Sequence, residues 1–184
     1  MKNPNVLAVL AALIFLTGVG CALDKNISGV SSVDPVELQM PSDDSLFVSI
    51  FRTPCFGTCP FYDMRIYEGG LVLLNRKMHW DSLGRIDSTQ IGWFITVLPQ
   101  IRLTEIRSRA QEIGFFDFKD AYLRGPVTDL PTTTTFVNVN GLSKQVINEN
   151  YKVPEAVINF ENFIDSKVAN SEWIRVVIVN SGKE

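Results

Sequence analysis

The chain is 184 residues long, with 17 Lys and Arg, 20 Asp and Glu and a single His, for a formal charge of −3 at pH 7. Its cations form no run: Arg65, Arg76, Lys77 and Arg85 are interrupted by apolar or acidic residues, which argues against a polyanion-binding surface and so against nucleic acid as a partner. The apolar-rich part is long enough for one domain with its own core and too short for two.

Residues 1–20, MKNPNVLAVLAALIFLTGVG, carry one charge, Lys2, then an apolar run from Val6 to Leu16 and a closing set of small residues. That pattern predicts a secretory signal peptide, because the run is about half of the roughly 20 residues that cross a bilayer. The small residues lead into Cys21, and LTGVGC resembles the lipobox of bacterial lipoproteins, in which the cysteine is acylated and becomes the new N-terminus. It departs from that box at Gly18, where Leu is usual, and Gly18-Val19-Gly20 also fits ordinary signal peptidase. Cysteine parity favours lipidation: of 3 Cys, acylating Cys21 leaves an even pair in an oxidising compartment. Several acyl chains hold a protein stably where one does not, so the expectation is a lipid-anchored protein of the bacterial cell envelope. Its outer-membrane, periplasmic or surface side is left open.

Residues 21–44, rich in Ser, Asp and Pro without a lasting apolar period, read as the lipidated N-terminus and a flexible tether. Residues 45–184 form the single domain. SLFVSIFR (45–52) has apolar residues on both strand faces and is predicted to lie inside a sheet. FYDMRIY and LVLLNRKM flank Glu68-Gly69-Gly70, and a two-residue turn there puts Met64 and Ile66 on one face with Leu71 and Leu73. Asp81-Ser82-Leu83-Gly84 is a further turn, leading into a strand near GRIDSTQIGWF. Thr104 looks like a helix N-cap, with Ile106, Ala110 and Ile113 at helical spacing and Gly114 as the stop. Asn140-Gly141 between two β-rich runs predicts a type I′ hairpin in which Val139 faces Leu142. Pro154 opens a last helix with Val157, Phe160, Ile164 and Val168 in one stripe, and WIRVVIVN can close the chain as a strand. The fold class expected is α+β: an antiparallel sheet of hairpins with two helices packed on one face.

The segment PCFGTCPFY (54–62) places Cys55 and Cys59 four apart, with Gly57 between them and Pro54 and Pro60 outside. The prolines break helix and the glycine permits a tight turn, so a disulfide-closed loop is the structural reading. A thiol oxidoreductase is the alternative, although its usual spacing is one residue shorter and its first thiol sits at a helix start. A zinc site would need two more ligands, and with Cys21 acylated the chain has His79 alone to add to carboxylates. Arg52-x-x-Cys55-Phe56-Gly57-x-Cys59-Pro60-x-Tyr62, then Gly114-Phe115-Phe116, Tyr122, Thr128-Asp129-x-Pro131 and the Pro-initiated helix, resembles a bacterial envelope family known as a domain of unknown function. The resemblance spans roughly residues 45–175. It implies secreted or lipid-anchored members, no established activity and no catalytic residues to assign.

Elsewhere His79 has no Ser-His-Asp pattern around it, and Asp117 and Asp120 lack the glycine and glutamate of a calcium loop. Arg52 and Asp129 form a candidate structural pair. The functional expectation is a non-enzymatic binding or structural module without cofactor or metal, meeting an envelope protein or glycan, with thiol–disulfide chemistry at Cys55 and Cys59 as the alternative.

Overall fold

The strands arise where apolar residues alternate, and the computed structural model describes residues 36–126 and 130–179. The predicted signal peptide, Cys21 and Asp129 lie outside those residues. Among the described residues there are nine strands, β1 (Val36–Gln39), β2 (Leu46–Arg52), β3 (Phe61–Tyr67), β4 (Leu71–Met78), β5 (Gly92–Val97), β6 (Ala121–Tyr122), β7 (Thr133–Val139), β8 (Leu142–Asn148) and β9 (Ile174–Val179), and two helices, α1 (Gln100–Glu112) and α2 (Glu155–Val168). They make one sheet in the order β1-β9-β5-β4-β3-β2-β7-β8-β6. Its seven inner strands pair antiparallel, while β1 runs parallel to β9 and β6 parallel to β8.

The class is therefore α+β with a mixed sheet, a correction to the all-antiparallel expectation. Both parallel pairs lie at the edges, in strands of four and two residues too short to show an alternation. The predicted tether is corrected too: Val36–Gln39 is a strand, and Asp43–Ser45 form a short 3-10 turn capped by the Ser42 hydroxyl.

One face of the sheet supplies Val48, Ile50, Met64, Ile66, Val72, Leu74 and Phe94 to a buried cluster shared with Leu103, Ile106 and Ala110 of α1 and Val157, Phe160, Ile164 and Val168 of α2. Each of these side chains other than Ala110 contributes on the order of 1.5–3 kcal/mol when fully buried. The register of β2 slips between Leu46 and Val48, and this bulge lets consecutive Phe47 and Val48 both be fully buried. Helix α1 starts at Gln100, one turn before the predicted Thr104 cap, because Pro99 precedes it in extended conformation and Leu103 extends the buried stripe backwards. Thr104 instead donates its hydroxyl to the Gln100 carbonyl at 3.0 Å. Gly114 ends the turn at φ 64, as its position as a stop implies.

Asn140 and Gly141 both have positive φ, and Val139 pairs with Leu142, the type I′ hairpin read from the sequence. The β3–β4 turn differs. It has three residues, so Met64 pairs with Leu74 and Ile66 with Val72, and the expected facing of Leu71 and Leu73 is reversed.

Candidate functional site

Strand β2 ends and β3 begins at the same edge, and the chain between them closes on itself through a disulfide from Cys55 to Cys59, with 5.6 Å between their Cα atoms. Gly57 takes φ 148 inside the loop, a region open to glycine at little cost. Phe56 at the tip is 95% exposed. Thr53 fastens the loop: its N–H donates to the Thr132 carbonyl at 2.9 Å, and its hydroxyl accepts from the Thr132 N–H at 2.8 Å.

The loop brackets two residues of the sequence motif, Arg52 and Tyr62, which are direct cross-strand partners. Arg52 Nε donates to the Tyr62 hydroxyl at 2.9 Å, its Nη1 to Thr133 Oγ1 at 2.9 Å and its Nη2 to Asp165 Oδ2 at 2.8 Å. Tyr62 in turn donates to Asp165 Oδ1 at 2.5 Å. Asp165 projects from α2, one turn after Glu161, whose carboxylate lies 4.0 Å from Arg52 and accepts from Asn148 Nδ2 at 3.0 Å and Thr135 Oγ1 at 3.4 Å. The set ties β2, β3, β7 and β8 to one side of α2. The pairing expected for Arg52 with Asp129 involves a residue outside those described; Arg52 meets Asp165 and Glu161.

Burial pushes the Tyr62 hydroxyl well above its ordinary pKa, and the neighbouring Asp165 charge adds to the shift. Burial likewise raises Glu161 to about 7, against the lowering pull of Arg52, Asn148 and Thr135. Burial opposes the Arg52 charge, yet Asp165, Tyr62 and Glu161 together raise its pKa.

Beside this network opens a cavity of about 400 Å³. Thr58 and Pro60 of the disulfide loop form its rim, Tyr62, Met64, Leu74 and Arg76 its floor, Met78, His79 and Trp80 one wall, and Asp165, Val168, Ala169 and Trp173 the other. His79 and Trp80 reach it because the β4–β5 connection folds back: Asp81 accepts from the Leu83 and Arg85 N–H groups, and Trp80 bridges to Ile86. Sequence reading placed His79 beside a turn and gave it no partners; the cavity brings it within one wall with Trp80. It missed Asp165, Glu161, Arg76 and Trp173, none of which stands in a local motif. Asp120 is paired with Lys144 at 2.5 Å, which leaves it no part in the cleft. Among the described residues no group of three or more His, Cys, Asp or Glu is close enough to hold a metal ion, and no helix is long and apolar enough to cross a membrane.

No curated protein matches the chain. Residues 46–168, more than half of it, match the family described as Domain of unknown function (DUF6438), and the chain belongs to that family.

Proposed function

We propose that this DUF6438 member is a lipid-anchored module of the bacterial envelope that binds a ligand in the cleft between the disulfide loop and α2 without transforming it. The observation that carries this reading is the state of the reactive groups at the cleft. Asp165 uses one oxygen for Tyr62 and the other for Arg52, and the Tyr62 hydroxyl has a pKa raised further from neutrality. A nucleophile needs a base free to activate it, and a base needs an open lone pair toward substrate. Here both are committed to bracing the fold, while the rest of the wall is largely apolar, as in ligand-binding sites. The anchor rests on the apolar leader and Cys21.

Two measurements test it. Intact mass of protein extracted from membranes should show acyl chains on a chain beginning at Cys21, abolished by Cys21→Ala; an unacylated chain starting at Cys21 would reverse the anchoring. Native mass spectrometry of the same protein should show a bound small species that Ala169→Trp, which fills the cleft, removes. Turnover in a broad hydrolase screen would sink the non-enzymatic reading.

A second reading, thiol–disulfide exchange at Cys55 and Cys59, is favoured by the position of the bridge in a loop with exposed Phe56 at its tip and with Thr58 and Pro60 at the cleft rim. Against it, the chain after Cys59 enters β3 and not a helix, so no helix start lowers a thiol pKa. Titration against glutathione separates the two: a structural bridge resists reduction at the potentials where a catalytic one opens.

A further inference from the structure

Charge is distributed unevenly around the cleft. Asp165 is neutralised by Arg52 at 2.8 Å, and Arg52 has Glu161 as a second acidic neighbour. Arg76 is different. Its Nη1 donates to Gln90 Oε1 at 2.7 Å and to the Gln90 carbonyl at 3.4 Å, both uncharged, and no carboxylate among the described residues lies within ion-pair distance. Arg175 stands close by, and the two guanidinium groups share one ring, 5.1 and 5.3 Å from the centre of Phe94. Arg175 also donates only to backbone carbonyls, those of Thr89 and Ile91. Of the two, Arg76 lines the cleft, which therefore carries at one end a cation satisfied by neutral oxygens. Trp80, on the adjoining wall, keeps its indole N–H buried without an acceptor.

Half-buried charge without a counter-ion is costly, and burial lowers the Arg76 pKa with only partial relief from Asp87. Asp165, the carboxylate of the wall, is held by Arg52 and Tyr62, and Met64, Leu74, Met78, Trp80, Val168 and Trp173 are suited to an apolar body. We infer that the cleft takes a small organic anion, a carboxylate on an apolar chain, with Arg76 receiving the carboxylate and the Met and Trp side chains covering the chain. This rests on the cleft being a binding site. An arginine fork donates two parallel hydrogen bonds to a carboxylate, and a charge-assisted pair of this kind discriminates against the same chain with a neutral head. A cationic head would meet Arg76 directly.

The test is calorimetric titration of the full chain carrying Cys21→Ser, which keeps acyl groups out of the measurement. The probes are decanoate, decanol and decyltrimethylammonium below their micelle concentrations. Decanoate should bind one per chain, decanol at least tenfold more weakly, and the ammonium without saturation. Arg76→Met should weaken decanoate at least tenfold and leave decanol within twofold, and Arg76→Lys, which keeps the charge and the fold, should lose less than Arg76→Met. Equal affinity for decanoate and decanol, or an unchanged Arg76→Met, overturns the anion assignment while the cleft still binds apolar chains. No binding by any probe overturns both the assignment and the cleft as their common site.

Discussion

Glu161 is 2% exposed, held between Asn148, Thr135 and Arg52, and its carboxyl titrates near 7 against an ordinary 4.5. A raised carboxyl pKa means that the folded protein holds the proton more tightly than the unfolded chain does. The contribution of Glu161 is then at its most favourable below about 4.5 and declines as pH rises through 7, by on the order of 3 kcal/mol over that window. Glu161→Gln, which cannot titrate, should gain stability relative to the parent by that amount between pH 4.5 and pH 8, read from urea midpoints; parallel pH profiles would disprove it. Tyr62→Phe leaves ring packing intact but removes an acceptor for Arg52 and a donor to Asp165, and should cost about 1–2 kcal/mol in the same assay. Arg52 and Tyr62 stood together in the motif, flanking one loop, but their contact was not read from it, Arg52 being expected with Asp129 instead. Their common partner was not legible either, because Asp165 lies 113 residues from Arg52 and reaches it only through the docking of α2.

The turns show how local chemistry can be right in kind and wrong in phase. Asn140-Gly141 named both the hairpin and its register, since a type I′ turn needs positive φ at two residues and both supply it. Glu68-Gly69-Gly70 named the hairpin only. Gly70 has φ 89, and its carbonyl accepts from the Leu98 N–H at 2.8 Å, so the turn contains a third residue and every side chain of β4 changes face relative to a two-residue turn. A Cβ on Gly70 would sit 2.4 Å from the Leu98 carbonyl oxygen, whereas one on Gly69 meets nothing within 4 Å. Gly70→Ala should therefore cost about 2 kcal/mol or more and Gly69→Ala no more than about 0.5, compared by thermal unfolding. Likewise the bridge closes a short loop, and changing Cys55 and Cys59 together to Ser should lower stability by about 2 kcal/mol. An unchanged urea midpoint would show that the loop is held by Thr53 and Thr132 alone.

For the whole molecule, the two helices and most inner strands were readable because each carries its own apolar period; β5 begins only at Gly92, past a 3-10 turn in the stretch expected to hold it, and the edges were missed because four-residue β1 and two-residue β6 carry no period. Strand β1 covers β9, on which Ile174 and Val177 are exposed. A chain beginning at residue 36 should stay monomeric in size-exclusion chromatography, while one beginning at residue 40 bares the β9 edge and should self-associate; equal elution of the two would show that β1 does not protect it. Because Val36 pairs with Val176, the first described strand finds its place only with the last one, 140 positions further along the chain. During synthesis β1 must wait, unpaired, until nearly everything else has been made. If the chain is exported N-terminus first, as the proposed leader would require, the edge is the last part of the sheet to be sealed, and the interval before sealing is when helper proteins can reach it.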